Sequence, residues 1–201
     1  MKLAWWKVTA AIAVVLFSCT LADAQDKRIE LRDGSHVISL VPPAGLEQFS
    51  GEKMAQVREK GVAAKFAFGD PQGDVMLTIN LIRDDDANDK GLLKVADRIK
   101  AGAQKNRRVE LFKRNFIKMN KEKWLRLTFK GTAGADSRVE TYFVTDWIGH
   151  YVVFNYSSTV AKYETYKSEF ERSARSIEFA IMVNTIPDED ASKPTPEKPR
   201  R

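Results

Sequence analysis

Between residues 109 and 157, four β-type runs follow one another too closely for any pairing but antiparallel. They cover 109–119, 124–130, 138–148 and 151–157, with turns at Asn120-Lys121-Glu122, Gly131 to Asp136, and Gly149-His150. A parallel pair needs a crossover of about a dozen residues or more, and none of these links supplies one. The segment is therefore expected to form an up-and-down meander. In its second run Leu125, Leu127 and Phe129 alternate inward, while Trp124, Arg126, Thr128 and Lys130 point away.

The rest of the chain supplies what covers such a sheet. Runs at 29–32 and 36–41 flank Asp33-Gly34, a strong hairpin signal. Pro42 and Pro43 end the second run, because proline cannot donate to a ladder. Residues 51–60 predict a short helix with Ser50 as N-cap, Met54 and Val57 on one face, and Gly61 as the stop. Strands are expected at 62–68 and 75–82, separated by the turn Asp70-Pro71-Gln72-Gly73. An acidic loop at 84–89 leads into a helix at 90–105, with Asp89 as expected N-cap and a stripe of Leu92, Leu93, Ala96, Ile99 and Ala103. A last helix at 160–176 carries Tyr163, Tyr166, Phe170 and Ala174 at helical spacing, and 177–179 closes the domain. Helices laid on an antiparallel sheet make an α+β, α/β/α-layered domain.

Both ends read differently from this middle. Lys2 and Lys7 precede an apolar run from Val8 to Phe17, and Ala22-Asp23-Ala24 offers small residues for a signal peptidase. That is the layout of a secretory signal peptide covering 1–24, which directs the product to the periplasm. The run gives roughly 15 Å of helix, short of the ~20 apolar residues that span a bilayer. A second processing route stays open. Leu16-Phe17-Ser18-Cys19 resembles a lipoprotein box, in which a lipidated Cys19 would tether the protein to a membrane. Residues 184–201 are rich in proline and mixed charge, with almost nothing to bury, and are expected to be disordered. The single folded domain is expected over 25–183.

Composition removes several chemistries. Cleavage after Ala24 leaves no cysteine, and with it no disulfide, thiol catalysis or cysteine-ligated metal. The chain carries a net charge of +6, concentrated between 100 and 130, where eleven basic residues meet only Glu110 and Glu122. Such a cluster attracts polyanions. Outside the cytosol these are anionic lipid headgroups, lipopolysaccharide phosphates and acidic proteins, and nucleic acid is not the expected partner.

No residue set announces catalysis or a cofactor. Asp84, Asp86 and Asn88 match the start of a calcium loop, but Asp89 stands where glycine is needed and Val95 where a bidentate glutamate is needed. His36 and His150 are the only histidines, far apart in sequence and without a neighbouring carboxylate at metal-ligand spacing. His36 alternates with Ile38 and Leu40 and is expected half-buried, while His150 sits at a turn. There is no Gly-x-Ser-x-Gly elbow and no glycine-rich phosphate loop. No catalytic residue, metal ligand or cofactor is assigned. The expected binding residues are Trp124, Arg126 and Lys130 on one strand face, Arg114 and Lys118 on the neighbouring strand, and Trp147, since tryptophan and arginine dominate binding hot spots.

The order of elements resembles the PsbP/DcrB-like family. The cues are a hairpin ending in Val41-Pro42-Pro43-Ala44-Gly45-Leu46, a helix after an acidic loop, the Tyr142-Phe143-Val144 and Gly149-His150-Tyr151-Val152-Val153 strands, and a closing helix into Ala174-Arg175-Ser176-Ile177. Leu46 stands where the family pattern has an aromatic residue. The resemblance implies a small exported or lumenal α–β–α domain acting as an accessory or binding subunit rather than an enzyme. The expected function is thus a non-enzymatic accessory protein of the bacterial cell envelope that binds a partner protein or anionic membrane component. A periplasmic immunity or stress-protection factor and an unrecognised hydrolase are the alternatives.

Overall fold

The computed structural model describes residues 27–59, 63–106, 108–133 and 136–182. The leader with Cys19, the Gly61 helix stop and the 184–201 tail lie outside the described residues. In chain order the elements are β1 (Ile29–Asp33), β2 (His36–Leu40), β3 (Glu47–Gln48), α1 (Gly51–Glu59), β4 (Phe66–Gly69), β5 (Val75–Arg83), α2 (Gly91–Asn106), β6 (Arg108–Met119), β7 (Glu122–Ala133), β8 (Asp136–Asp146), β9 (His150–Thr159), α3 (Val160–Arg175) and β10 (Glu178–Ile181).

The expected meander is present as β6–β7–β8–β9, every pair antiparallel. It continues through β5 and β4 into a seven-stranded sheet of order β3-β4-β5-β9-β8-β7-β6. The strands run longer than the sequence signals implied: β7 extends past Lys130 to Ala133 and β9 past Ser157 to Thr159. The opening hairpin does not join this sheet. It forms a separate three-stranded sheet, β1-β2-β10, closed when the last strand returns to pair with β2. The fold is α+β, with antiparallel sheets and three helices packed against them.

Strict alternation divides the large sheet into two buried faces. From β5, β8 and β9, Leu77, Ile79, Phe143, Phe154 and Tyr156 point to one side, where they meet Leu31, Ile38 and Leu40 of the small sheet and Phe170 and Ala174 of α3. Leu125, Leu127, Val144 and Val153 point to the other, where Leu92, Val95 and Ala96 of α2 cover them. Burying each large apolar side chain contributes about 1.5–3 kcal/mol. A small satellite forms where Met54 and Val57 of α1 pack on Ala67.

Local details position the helices. Asn88, not the expected Asp89, caps α2: its side-chain oxygen accepts from the Lys90 and Gly91 N–H groups at 2.9 and 3.3 Å. Asp89 is turned outward to Lys123, 2.8 Å away. Val95 takes a core position in the α2 stripe, and Leu93, expected there, is 39 % exposed. The start of α2 lies so close to β9 that a Cβ on Gly91 would fall 1.6 Å from the Tyr151 hydroxyl. The first turn of α3 is pinned by Lys162, which bridges Asp70 at 2.9 Å and Asp74 at 3.0 Å.

Candidate functional site

The expected binding residues do not form one surface. Trp124 is 1 % exposed. Its ring stacks on Phe179 of β10 and tilts against Phe154, and its indole N–H donates to the Met119 carbonyl at 3.2 Å. The sequence placed Trp124 on the outward face of β7. That face is outward only for the sheet alone, and the small sheet covers it, so Trp124 is a core residue and not a surface anchor. Trp147 is half-buried beside it, stacked on Phe179 at 4.8 Å. Arg126 shares the Trp124 side but runs beneath α3, where it pairs with Glu171 at 2.6 Å and lies over the Phe143 ring. Its charge is neutralised and half-buried. Lys130 pairs with Glu110 of β6 at 3.1 Å.

The remaining two expected residues stand elsewhere. Arg114 and Lys118 lie on β6, the edge of the large sheet, and alternate with Phe112 and Phe116 toward the α2 side. An edge strand reaches past the helix that covers its neighbours. Phe112 still packs against the α2 core, under the Lys100 ammonium at 5.1 Å. Phe116 is 42 % exposed, with Lys123 Nζ 4.5 Å from its ring centroid. Two ion pairs stitch this edge to α2, Arg114 to Asp97 at 3.0 Å and Lys123 to Asp89 at 2.8 Å. Leu93, the exposed apolar residue of α2, lies four residues before Asp97 in the helix, and so on the same stripe.

Other cations of this face have no such partner. Among the described residues, Lys100 and Lys118 form no ion pair or hydrogen bond. Lys118 stands directly opposite Lys123 across the β6–β7 ladder, a like-charge pair that opposes pairing. The hairpin also holds Asn120 and Lys121 at φ of 51° and 68°, the positive values of a two-residue type I′ turn. The Asn120 amide ties the tip down by donating to the Arg175 carbonyl at 3.0 Å and to that of Ile177. The basic tip is therefore fixed in place.

On the far side of α2, a cavity of about 390 Å³ opens between the helix and the acidic loop, lined by Asp84, Asp86, Lys90, Lys94, Arg98 and Tyr151. It holds both signs of charge. Two carboxylates with displaced ionisation lie away from it. Burial opposes ionisation of Asp70, but hydrogen bonds from the Val75 N–H and Lys162 outweigh it and hold the carboxyl below its ordinary value. Arg172 does the same to Glu169, against a smaller effect of burial. A lowered value is the state of an ion-pair anchor, opposite to that of a general acid. Burial pushes the Tyr156 phenol upward while it donates to Ser173 Oγ at 3.1 Å.

The arrangement is a rigid basic face with two exposed apolar residues. The sequence located the charge but missed Phe116. Its signal was an apolar residue alternating with Arg114 and Lys118 on a strand. Among the described residues, no helix is long and apolar enough to cross a membrane.

No protein-family model and no curated protein sequence matches the chain. Its fold does match solved structures. The solution structure of cyanobacterial PsbP (CyanoP) from Synechocystis sp. PCC 6803 superposes with a TM-score of 0.54 at 16 % identity, over 80 % of this chain and 96 % of that one. The fold is PsbP-like. LpqN, described as involved in cell envelope biogenesis of Mycobacterium tuberculosis, matches with a TM-score of 0.51 at 12 % identity, over 77 % of this chain and 91 % of LpqN. The PsbP-like fold here thus extends over nearly the whole length of both solved domains. At this identity the likeness concerns the backbone, and the basic α2–β6 face is argued from this chain's own residues.

Proposed function

We propose that this chain is an exported accessory protein of the bacterial cell envelope, which binds an acidic partner protein or an anionic membrane component through its α2–β6 face. The observation that carries the reading is the two cations without an ion-pair partner, Lys100 and Lys118, on the same face as exposed Phe116 and Leu93. Unpaired charge steers an anionic partner toward the face. Exposed apolar residues then supply the contact that water release stabilises. The leader sequence supports export, to the periplasm after cleavage behind Ala24 or to a membrane-tethered form through Cys19. The PsbP-like fold is compatible with an accessory role. A binding role needs no catalytic group, and the two displaced carboxylates serve as anchors for α3 and the loop before β3.

Lys118→Glu combined with Lys100→Glu tests this directly. Binding of the protein to phosphatidylglycerol vesicles at low salt, and crosslinking from Lys118 in intact envelopes, are the two readouts. Vesicle binding lost in the variant by about tenfold or more supports a membrane component. A crosslinked protein that the variant no longer captures supports a partner protein. Wild-type protein that neither binds vesicles nor yields a specific crosslink would refute the reading.

A further inference from the structure

The two histidines, remote in sequence, meet in the fold. His36 opens β2 of the small sheet and His150 opens β9 of the large sheet. Their ring centroids lie 4.9 Å apart with the planes at 69°. Trp147, stacked on Phe179, walls the pair on one side, its ring centroid 5.0 Å from that of His36.

The nitrogens are prepared unequally. His150 Nδ1 lies 2.9 Å from the Ile148 carbonyl. A carbonyl only accepts, so Nδ1 carries the hydrogen and Nε2 keeps its lone pair. Donation to a backbone carbonyl in this way is what orients a metal-ligating imidazole and sets its tautomer. The contact is made inside the two-residue turn of the β8–β9 hairpin, whose geometry requires positive φ. Ile148 has φ of +42° in the Ile148-Gly149 turn, a conformation that β-branched residues rarely adopt. The His36 ring makes no hydrogen bond to any described residue and meets the rings of Trp147 and His150 edge-on. Neighbouring charges are spent. Asp33, opposite His36, is held by Lys65 at 2.8 Å, and Arg83, opposite His150, by Asp85 at 3.2 Å.

Two imidazoles sharing one metal at about 2.0–2.1 Å per nitrogen, with a near-tetrahedral angle, have centroids about 5 Å apart. We propose that His36 and His150 form a two-imidazole site for a borderline divalent transition metal, Cu(II) most tightly and Zn(II) or Ni(II) more weakly. Imidazole donors select these ions, and affinity along the series peaks at copper. Among the described residues no group of three or more histidine, cysteine or carboxylate side chains converges on one point, so solvent completes the coordination and the site exchanges its metal readily. One ligand comes from each sheet, and the metal joins the two.

Titration of the protein as its cell produces it, with Cu(II) and separately with Zn(II) chloride, tests the site. One equivalent of Cu(II) gives an electron paramagnetic resonance spectrum with two imidazole nitrogens and quenches Trp147 emission. Zn(II) raises the melting temperature by linkage. His36→Ala and His150→Ala each remove one nitrogen and raise the dissociation constant at least about tenfold. Trp147→Phe keeps both nitrogens and loses the quenching, which separates loss of a ligand from loss of the fold. Cu(II) affinity unchanged in the His36→Ala, His150→Ala double variant overturns the proposal. A wild-type spectrum with fewer than two imidazole nitrogens overturns it equally.

Discussion

The two faces of the large sheet bury similar side chains and end with different surfaces. One lies beneath α3 and the whole small sheet, and Trp124, Phe143, Phe154 and Phe179 fill the space between. Charge on this side is neutralised internally, as Arg126 is by Glu171. The other face has α2, with α1 over Ala67 of β4, and together they are narrower than the sheet they cover. Beyond the helix, β6 leaves Phe116 and Lys118 in solvent. One strand pattern thus yields a sealed core on one side and a basic, partly apolar rim on the other. The difference is set by the width of the covering layer.

The largest effect that separates the faces is expected from Trp124→Ala. It removes the biggest fully buried side chain from the sealed side and the indole N–H that donates to the Met119 carbonyl. The expected loss is about 3–5 kcal/mol, read from urea denaturation midpoints. A loss below 1 kcal/mol would mean the small sheet is not an integral part of the core. On the α2 side, Gly91→Ala forces the helix off β9 and should cost about 1–3 kcal/mol by the same measurement. Tyr151→Phe should recover only part of it, because the ring carbon Cζ still lies 2.7 Å from the added methyl.

Asp70→Asn is a smaller probe of how α3 is held. It neutralises the buried carboxylate that accepts from Val75 N–H and Lys162, leaving one acceptor oxygen where there were two, at about 1–2 kcal/mol near neutral pH. The sign follows from its lowered pKa. The ionised carboxylate stabilises the fold above the unfolded value of about 3.9. That contribution disappears as pH falls through the lower folded value. Wild type and Asp70→Asn should therefore converge in acid. A constant gap in melting temperature from neutral pH to pH 2 would break the assignment. Lys118→Glu should be the mildest, within about 0.5 kcal/mol, since it relieves the repulsion with Lys123 and touches nothing buried. If it destabilises strongly, the rim is structural and not a binding face.

The sequence by itself determined the local events. Alternation and short turns dictated the β6–β9 meander. Asp33-Gly34 dictated the first hairpin, seen with Gly34 at φ +61°. Helical spacing dictated α1, α2 and α3, with Phe170 and Ala174 buried as their positions required. These follow from forces acting within a few residues. The concentration of positive charge was equally plain, as was the absence of a catalytic or phosphate-binding motif. Local sequence carried no sign of β3, a strand of two residues, or of where β10 would end. Glu178 to Ile181 pair with His36 to Ser39 across most of the chain.

That single long-range pairing decided the rest. By building a second sheet it sealed Trp124, which alternation alone had set facing out, and brought His36 beside His150. Ion pairing then sorted the basic residues. Arg126 and Lys130 were consumed by Glu171 and Glu110, and Lys118 was left free at the edge. A residue's neighbours along the chain fix which way it points from its own strand. What covers that side depends on apolar surface arriving from elsewhere, so exposure and electrostatic partners were settled only when the layers packed.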